Sequence, residues 1–126
     1  MEPVTLFDLA TKQSQWLAVR QSAIAGNIAN ANTPGYTAND VEPFEKVLDR
    51  AAVSLQATEA GHLGGEATNA GFRVKPDEPN GVILPSKNTV VVENELMKAG
   101  EVRRAFELNT AIVKAFHSMM MMAVKT

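Results

Sequence analysis

The chain has 126 residues, 45% of them hydrophobic, and 12 Lys plus Arg against 14 Asp plus Glu give a formal charge of -2. That length suits one domain burying roughly two thirds of its unfolded surface, and the near-neutral balance supplies no field to gather nucleic acid or anionic lipid. With no cysteine, disulfides, thiolate metal sites and a cysteine nucleophile are excluded together.

The first segment, about Leu6 to Ala31, opens on Thr5-x-x-Asp8 as a capping start and continues with apolar residues at helical spacing. Ala10, Leu17, Ile24 and Ala31 stand seven apart, as in a coiled-coil seam that Gln13 and Arg20 interrupt, and Leu6 and Ile28 extend the same stripe. The expected helix is about 40 Å long. It should end near Asn32, because Pro34 disfavours helical geometry at Thr33 and Pro34-Gly35 supplies the centre of a type II turn.

Beyond the turn, Pro43 suits the first position of a short helix whose Phe44, Val47, Leu48, Ala51 and Leu55 share a face. From Thr58 to Lys87 the chain is rich in Gly and Pro and reads as loop. Within it Phe72-Arg73-Val74-Lys75 alternates, and Asn80-Gly81 ahead of Val82-Ile83-Leu84 would turn a small hairpin, its prolines confining the strands to edges.

The last segment, Val92 to Lys125, carries the strongest period. Val92, Ala99, Phe106, Val113 and Met120 lie seven apart, and Val102, Asn109, Phe116 and Ala123 form a second row. A helix of about 50 Å follows, with Gly100 as a soft point or site of close contact. Met119 to Met122 advance by about 100° each, placing thioethers on every side. A helix apolar all round is normally surrounded, and the Gly/Pro-rich middle cannot wrap it, so the two long helices need each other and other chains. The fold class expected is mainly α: long terminal helices paired as a coiled-coil-like hairpin, with a short helix and a Gly/Pro-rich middle that has room for a β-hairpin. The packing interface is assigned to Leu17, Ile24, Ile28, Phe106, Val113, Phe116 and Met120.

No constellation for catalysis, cofactor or metal emerges. Glu59-x-x-His62 has the spacing of half a di-iron site, but Lys114 stands where His117 would need its glutamate. His117 and Ser118 are sequence neighbours and do not face each other on a helix. Thioethers at Met119 to Met122 would suit copper(I), yet an apolar plug is the commoner use. Arg103-Arg104 is a lone basic pair on a solvated face. The opening Met1-Glu2-Pro3-Val4 lacks the basic and apolar regions of a cleaved signal, and no run reaches the roughly 20 apolar residues of a membrane span.

The segment Asn27-Ile28-Ala29-Asn30-Ala31-Asn32-Thr33-Pro34-Gly35-Tyr36 closely resembles the N-terminal signature of the bacterial flagellar axial proteins, the rod and hook subunits. Thr37 to Val41, Phe44, the short middle segment and Asn88-Thr89-Val90 resemble the proximal rod proteins of that family, with the C-type rod subunit the nearest alternative within it. The resemblance departs at Val91, where an acidic cap is usual, and at Pro43. It implies one axial domain over 1–126, divided at 36 and 88, exported through the flagellar type III apparatus without signal cleavage and assembled in the periplasm. It also implies a structural subunit that passes torque from the membrane ring toward the hook, in a higher-order hetero-oligomer. Partners implied are like subunits, other rod proteins, the basal adaptor protein and the membrane-ring protein. Asn27, Asn30, Asn32, Thr33, Pro34, Gly35 and Tyr36 are the assembly signature it marks. Physically, Asn27 and Asn30 stand one turn apart, so their amides could bond side by side, and Asn32 could cap the last carbonyls. A secretion chaperone closing as a helical dimer is the rival from another class.

Overall fold

The computed structural model describes residues 3–56, 72–77 and 85–125, with side chains from residue 6 to residue 50 in the first of these stretches. Five elements run in the order α1 (Pro3–Ala29), β1 (Asn39–Val41), α2 (Phe44–Gln56), β2 (Val74–Pro76) and α3 (Val92–Val124). The chain is mainly helical, and its two long helices lie against each other.

The α1 helix begins at Pro3, so Thr5-x-x-Asp8 is inside it and not its cap. Proline suits that place because the first N–H groups of a helix have no intrahelical partner to lose. At the other end the last turn tightens: the Asn30 N–H donates to both Gly26 O (3.1 Å) and Asn27 O (3.2 Å), and the Ala31 N–H to Ile28 O (3.2 Å). The expected turn follows. Tyr36 N–H reaches Thr33 O at 3.3 Å, and Gly35 takes φ 75°, the value that position of a type II turn requires.

β1 pairs antiparallel with β2 in the register Asn39↔Pro76, Asp40↔Lys75 and Val41↔Val74. This is a pairing that the sequence pattern did not anticipate. The strand over Phe72–Lys75 does form, shifted to Val74–Pro76, but its partner is a segment just after the signature turn; the Val82–Leu84 arm lies outside the described residues. Three residues are too few for an alternating pattern to announce β1, so only tertiary placement defines it. The ladder is extended by Glu42 N–H to Arg73 O (2.9 Å) and Asp77 N–H to Ala38 O (2.7 Å). Pro43 then precedes α2 and accepts from the Lys46 N–H at 3.0 Å, and Val47 is buried.

α3 starts as expected, with Val91 at its N-cap in extended geometry and no side-chain cap bond. Glu93 and Glu95 in the first turn favour the positive end of the helix dipole instead. Gly100 is no close-contact site, since a Cβ there would meet nothing nearer than the Arg104 guanidinium at 3.9 Å. The pair is antiparallel, because Asn27 at the end of α1 meets Glu95 at the start of α3, while Phe7 meets Phe116 edge-on at 5.4 Å. Leu17, Ile24 and Val102 form the buried core between them, with Trp16, Ala99, Ala105 and Phe106 packed around it. Each fully buried aliphatic side chain of this kind contributes about 1.5–3 kcal/mol.

Candidate assembly interface

The signature turn sits in a polar clasp. Asn27 is completely buried; its amide N–H groups donate to Asn39 O (2.7 Å) and to Glu95 Oε2 (3.0 Å). Its Oδ1 accepts from the Asn39 N–H (2.9 Å) and the Tyr36 hydroxyl (3.4 Å). One side chain thus joins α1, β1, the turn and α3. Asn88, also buried, donates to the carbonyls of Asn30 (2.9 Å), Ala31 (3.0 Å) and Thr33 (2.8 Å), and accepts from the Val90 N–H at 2.7 Å. It spans the turn after α1, supplying a donor to Ala31 O and a second one to the Asn30 and Thr33 carbonyls, which also accept from the Thr33 and Tyr36 N–H groups. Thr89 accepts from the Ala38 N–H at 2.9 Å and Gly35 donates to Ser86 O at 2.9 Å, so the segment before α3 is the socket for the turn.

Ion pairs surround the clasp. Lys98 reaches Asp77 at 2.5 Å, Glu95 at 3.5 Å and Asp40 at 3.6 Å; Arg20 reaches Asp40 at 3.4 Å and stacks over Trp16. Burial works to lower the pKa of Lys98, but the hydrogen bond to Asp77 and the charges of Glu95 and Asp40 outweigh it and raise it. On the far side of β1, the buried Glu42 carboxylate is held by both guanidinium nitrogens of Arg50 and by the Arg73 N–H at 3.3 Å. The Arg50 hydrogen bond, working against burial, holds Glu42 below the usual carboxylate range. This pair ties α2 to the small sheet.

These positions revise the roles read for the signature. Asn27 and Asn30 do not bond each other: Asn30 turns back to Gly26 O at 2.8 Å and accepts from the Thr33 hydroxyl at 3.2 Å. Asn32 is exposed, and Asn88 does the capping expected of it. A helix end is capped by whatever the fold brings over it, and here that group comes from far along the chain. Pro34 and Gly35 are exposed at the turn, and Tyr36 is half-buried.

Of the packing residues, Leu17 and Ile24 are in the core, Phe106 borders it, and Val113, Phe116 and Met120 are half-buried on the same side of α3. Ile28 departs from the group: 37% exposed, it lies off the α1–α3 contact. Its neighbour Asn27 is the buried residue of that turn. An open groove of about 390 Å³ lined by Phe7, Ala10, Ser14, Asn109 and Val113 runs beside the helix contact farther along. Buried Asn109 crosses it, donating to Ala10 O (3.0 Å) and the Ser14 hydroxyl (2.8 Å).

A second apolar stripe on α3 faces away from α1. Leu108 is 62% exposed, Ile112 46%, Met119 56% and Met122 63%. With Ala115 they span about 80° of arc and about 21 Å of helix. The spacing of four, three, four and three residues was available in the sequence, but the stronger inner rows masked it. Glu95 had no such signal, because its partner Asn27 stands 68 residues away along the chain.

Among the described residues no group of three metal-ligating side chains occurs, and no helix is long and apolar enough to cross a membrane. Glu59-x-x-His62 lies outside those residues.

Comparison with known proteins places this arrangement. The profile of a family described as "Flagella basal body rod protein" matches residues 15–37, the second half of α1 with the clasp's turn. The flagellar basal body rod protein FlgB of Agrobacterium fabrum is 43% identical over 129 residues, which cover 99% of this chain and 96% of that protein. FlgB of Escherichia coli K12 is 33% identical over 96 residues, 63% of this chain and 69% of the relative. FlgB of Borrelia hermsii is 31% identical over 108 residues, 71% of this chain and 79% of the relative.

Proposed function

The chain belongs to the FlgB family of flagellar basal-body rod proteins, structural subunits and not enzymes, and on that footing we propose that its α1–α3 hairpin docks into the rod through the outer stripe of α3. The observation that carries this reading is the uncovered row Leu108, Ile112, Met119 and Met122. An apolar row of that length is costly in water, and each side chain buried by a neighbour contributes about 1.5–3 kcal/mol. The inner row, Phe106, Val113, Phe116 and Met120, keeps the hairpin together while the outer row is given to other subunits.

The full chain, 1–126, acts as one axial domain. Its neighbours are like subunits and other proximal rod proteins, with the basal adaptor protein and the membrane-ring protein at the rod's base, after export without a cleaved signal into the periplasm. The contact is heterologous, the outer stripe of one copy meeting a different surface on the next, so the assembly extends and does not close. Interlocked side chains between such helices pass torque as a shear across packed surfaces, with no bond made or broken.

Complementation of a strain lacking this subunit tests the reading. Ile112→Asp and Met119→Asp should abolish swimming and rod assembly, while the purified variants keep the parent's helical circular dichroism. Full swimming by both variants would sink the proposal. Sedimentation at rising concentration separates the rival, since a chaperone-like module would settle at a fixed dimer.

A further inference from the structure

The outer stripe of α3 is part aliphatic and part thioether. Of Leu108, Ile112, Ala115, Met119 and Met122, the last two carry sulfur and stand within one turn of each other near the end of the helix. Met119 is 56% exposed and Met122 63%, whereas Met120, on the side of α3 that faces α1, is half-buried. A thioether reacts with peroxide or hypochlorous acid in step with its access, because the oxidant must reach the sulfur lone pair. In most chains a thiol would react first; with no cysteine here, the exposed thioethers are the softest nucleophiles such an oxidant meets. Met97 and Met121 are exposed as well, at 66% and 49%, but neither belongs to the row. Exposed Glu101 and Arg104 separate Met97 from Leu108, and Met121 points about 100° away from Met122.

We propose that Met119 and Met122 are oxidation sites of the unassembled subunit, and that their sulfoxides keep the outer stripe from docking. The step is a two-electron oxidation. The sulfur attacks one peroxide oxygen, an S–O bond forms as the O–O bond breaks, and the hydroxide released takes the transferred hydroxyl's proton and leaves as water. A thiol-dependent sulfoxide reductase reverses it, with two thiols becoming a disulfide and the oxygen leaving as water. In the free chain the new S=O dipole stays in water, so the α1–α3 pair, whose core is Leu17, Ile24 and Val102, is untouched. Against an apolar neighbour the same dipole is buried with nothing to donate to it, which weakens the contact on the order of tenfold for each sulfoxide. Docked subunits are shielded, so the oxidant acts on the pool awaiting assembly and not on the finished rod. The effect on docking rests on the assembly proposed for this stripe; the order in which the sulfurs react does not.

Mass spectrometry of the full-length chain after brief treatment with hydrogen peroxide reads the reactivity. Oxygen should appear on Met119 and Met122 about threefold faster than on Met120, with circular dichroism unchanged. Equal rates at the three would overturn the proposal. In a strain lacking the subunit, Met119→Gln with Met122→Gln, which matches the sulfoxide in size and polarity, should abolish swimming, and Met119→Leu with Met122→Leu should restore it. Under peroxide at a dose that leaves growth unchanged, the leucine pair should form new flagella where the parent forms fewer. Equal loss in the two also overturns the proposal. So does failure of the leucine pair to swim without peroxide, because the positions would then need more than apolar bulk. If the glutamine pair swims, Ile112→Asp decides what has failed: where that variant does not swim, the oxidation inference alone falls, and where it swims too, the assembly reading falls with it.

Discussion

The two ends of the hairpin are held together by different chemistry, although both leave apolar side chains in water, Leu96 and Met97 at one and the outer stripe at the other. Where α1 ends and α3 begins, Asn27, Asn88, Glu95 and Lys98 are bonded within the chain, and among the described residues no buried side-chain nitrogen or oxygen lacks a partner. Where α1 begins and α3 ends, the contacts are Phe7 on Phe116 and the Asn109 crossing, with Leu108, Ile112, Met119 and Met122 uncovered beside them. Hydrogen bonds demand exact partners and so are satisfied locally. Apolar surface accepts any well-shaped cover, and can be left for another subunit.

Variants sharpen or break this contrast, beginning with the largest effect. Asn88→Ala takes the side-chain donor from Ala31 O and the side-chain acceptor from the buried Val90 N–H, and should cost about 3 kcal/mol in chemical denaturation. Acidification strikes next. Glu42 has its folded pKa depressed by Arg50, so its contribution is present above the ordinary glutamate value of 4.5 and is lost as pH falls through the lower folded value. Melting followed from pH 6 downward should show this decline, and Glu42→Gln should flatten it.

Lys87, exposed and with φ 61°, adopts left-handed geometry beside the clasp. Lys87→Gly should raise stability by about 0.5 kcal/mol, the relief of strain exceeding glycine's greater unfolded freedom. Smallest of all, Met122→Ser should change the free chain by less than about 0.5 kcal/mol, because that side chain is largely in water already. The contrast fails if Met122→Ser destabilises the free chain as much as Asn88→Ala. Amide exchange gives the same comparison without mutation: protection should be strong from Glu95 to Val102 and weak beyond Thr110.

Much of the fold was legible. The seven-residue rows located both long helices within a few residues, since amphipathic period is a property of one segment and needs no knowledge of the rest. Pro34-Gly35 located the turn for a similar reason. The signature was recognisable, but the partners of its asparagines were not: Asn27 and Asn30, read as bonding side by side along one helix face, turn to Asn39 and Glu95 and back to Gly26 O respectively. Ile28 followed the apolar stripe in sequence and is 37% exposed, while its neighbour Asn27 is buried.

Residue pattern alone settled the three helices, the signature turn and the absence of cysteine chemistry, because torsional preference and hydrophobic period act over a few residues. Closure of the chain decided that β2 pairs with β1 and that Asn88 bonds across the turn after α1. Those outcomes rest on groups up to 58 residues apart meeting at hydrogen-bond distance, a condition set by closure of the whole chain and by no local pattern.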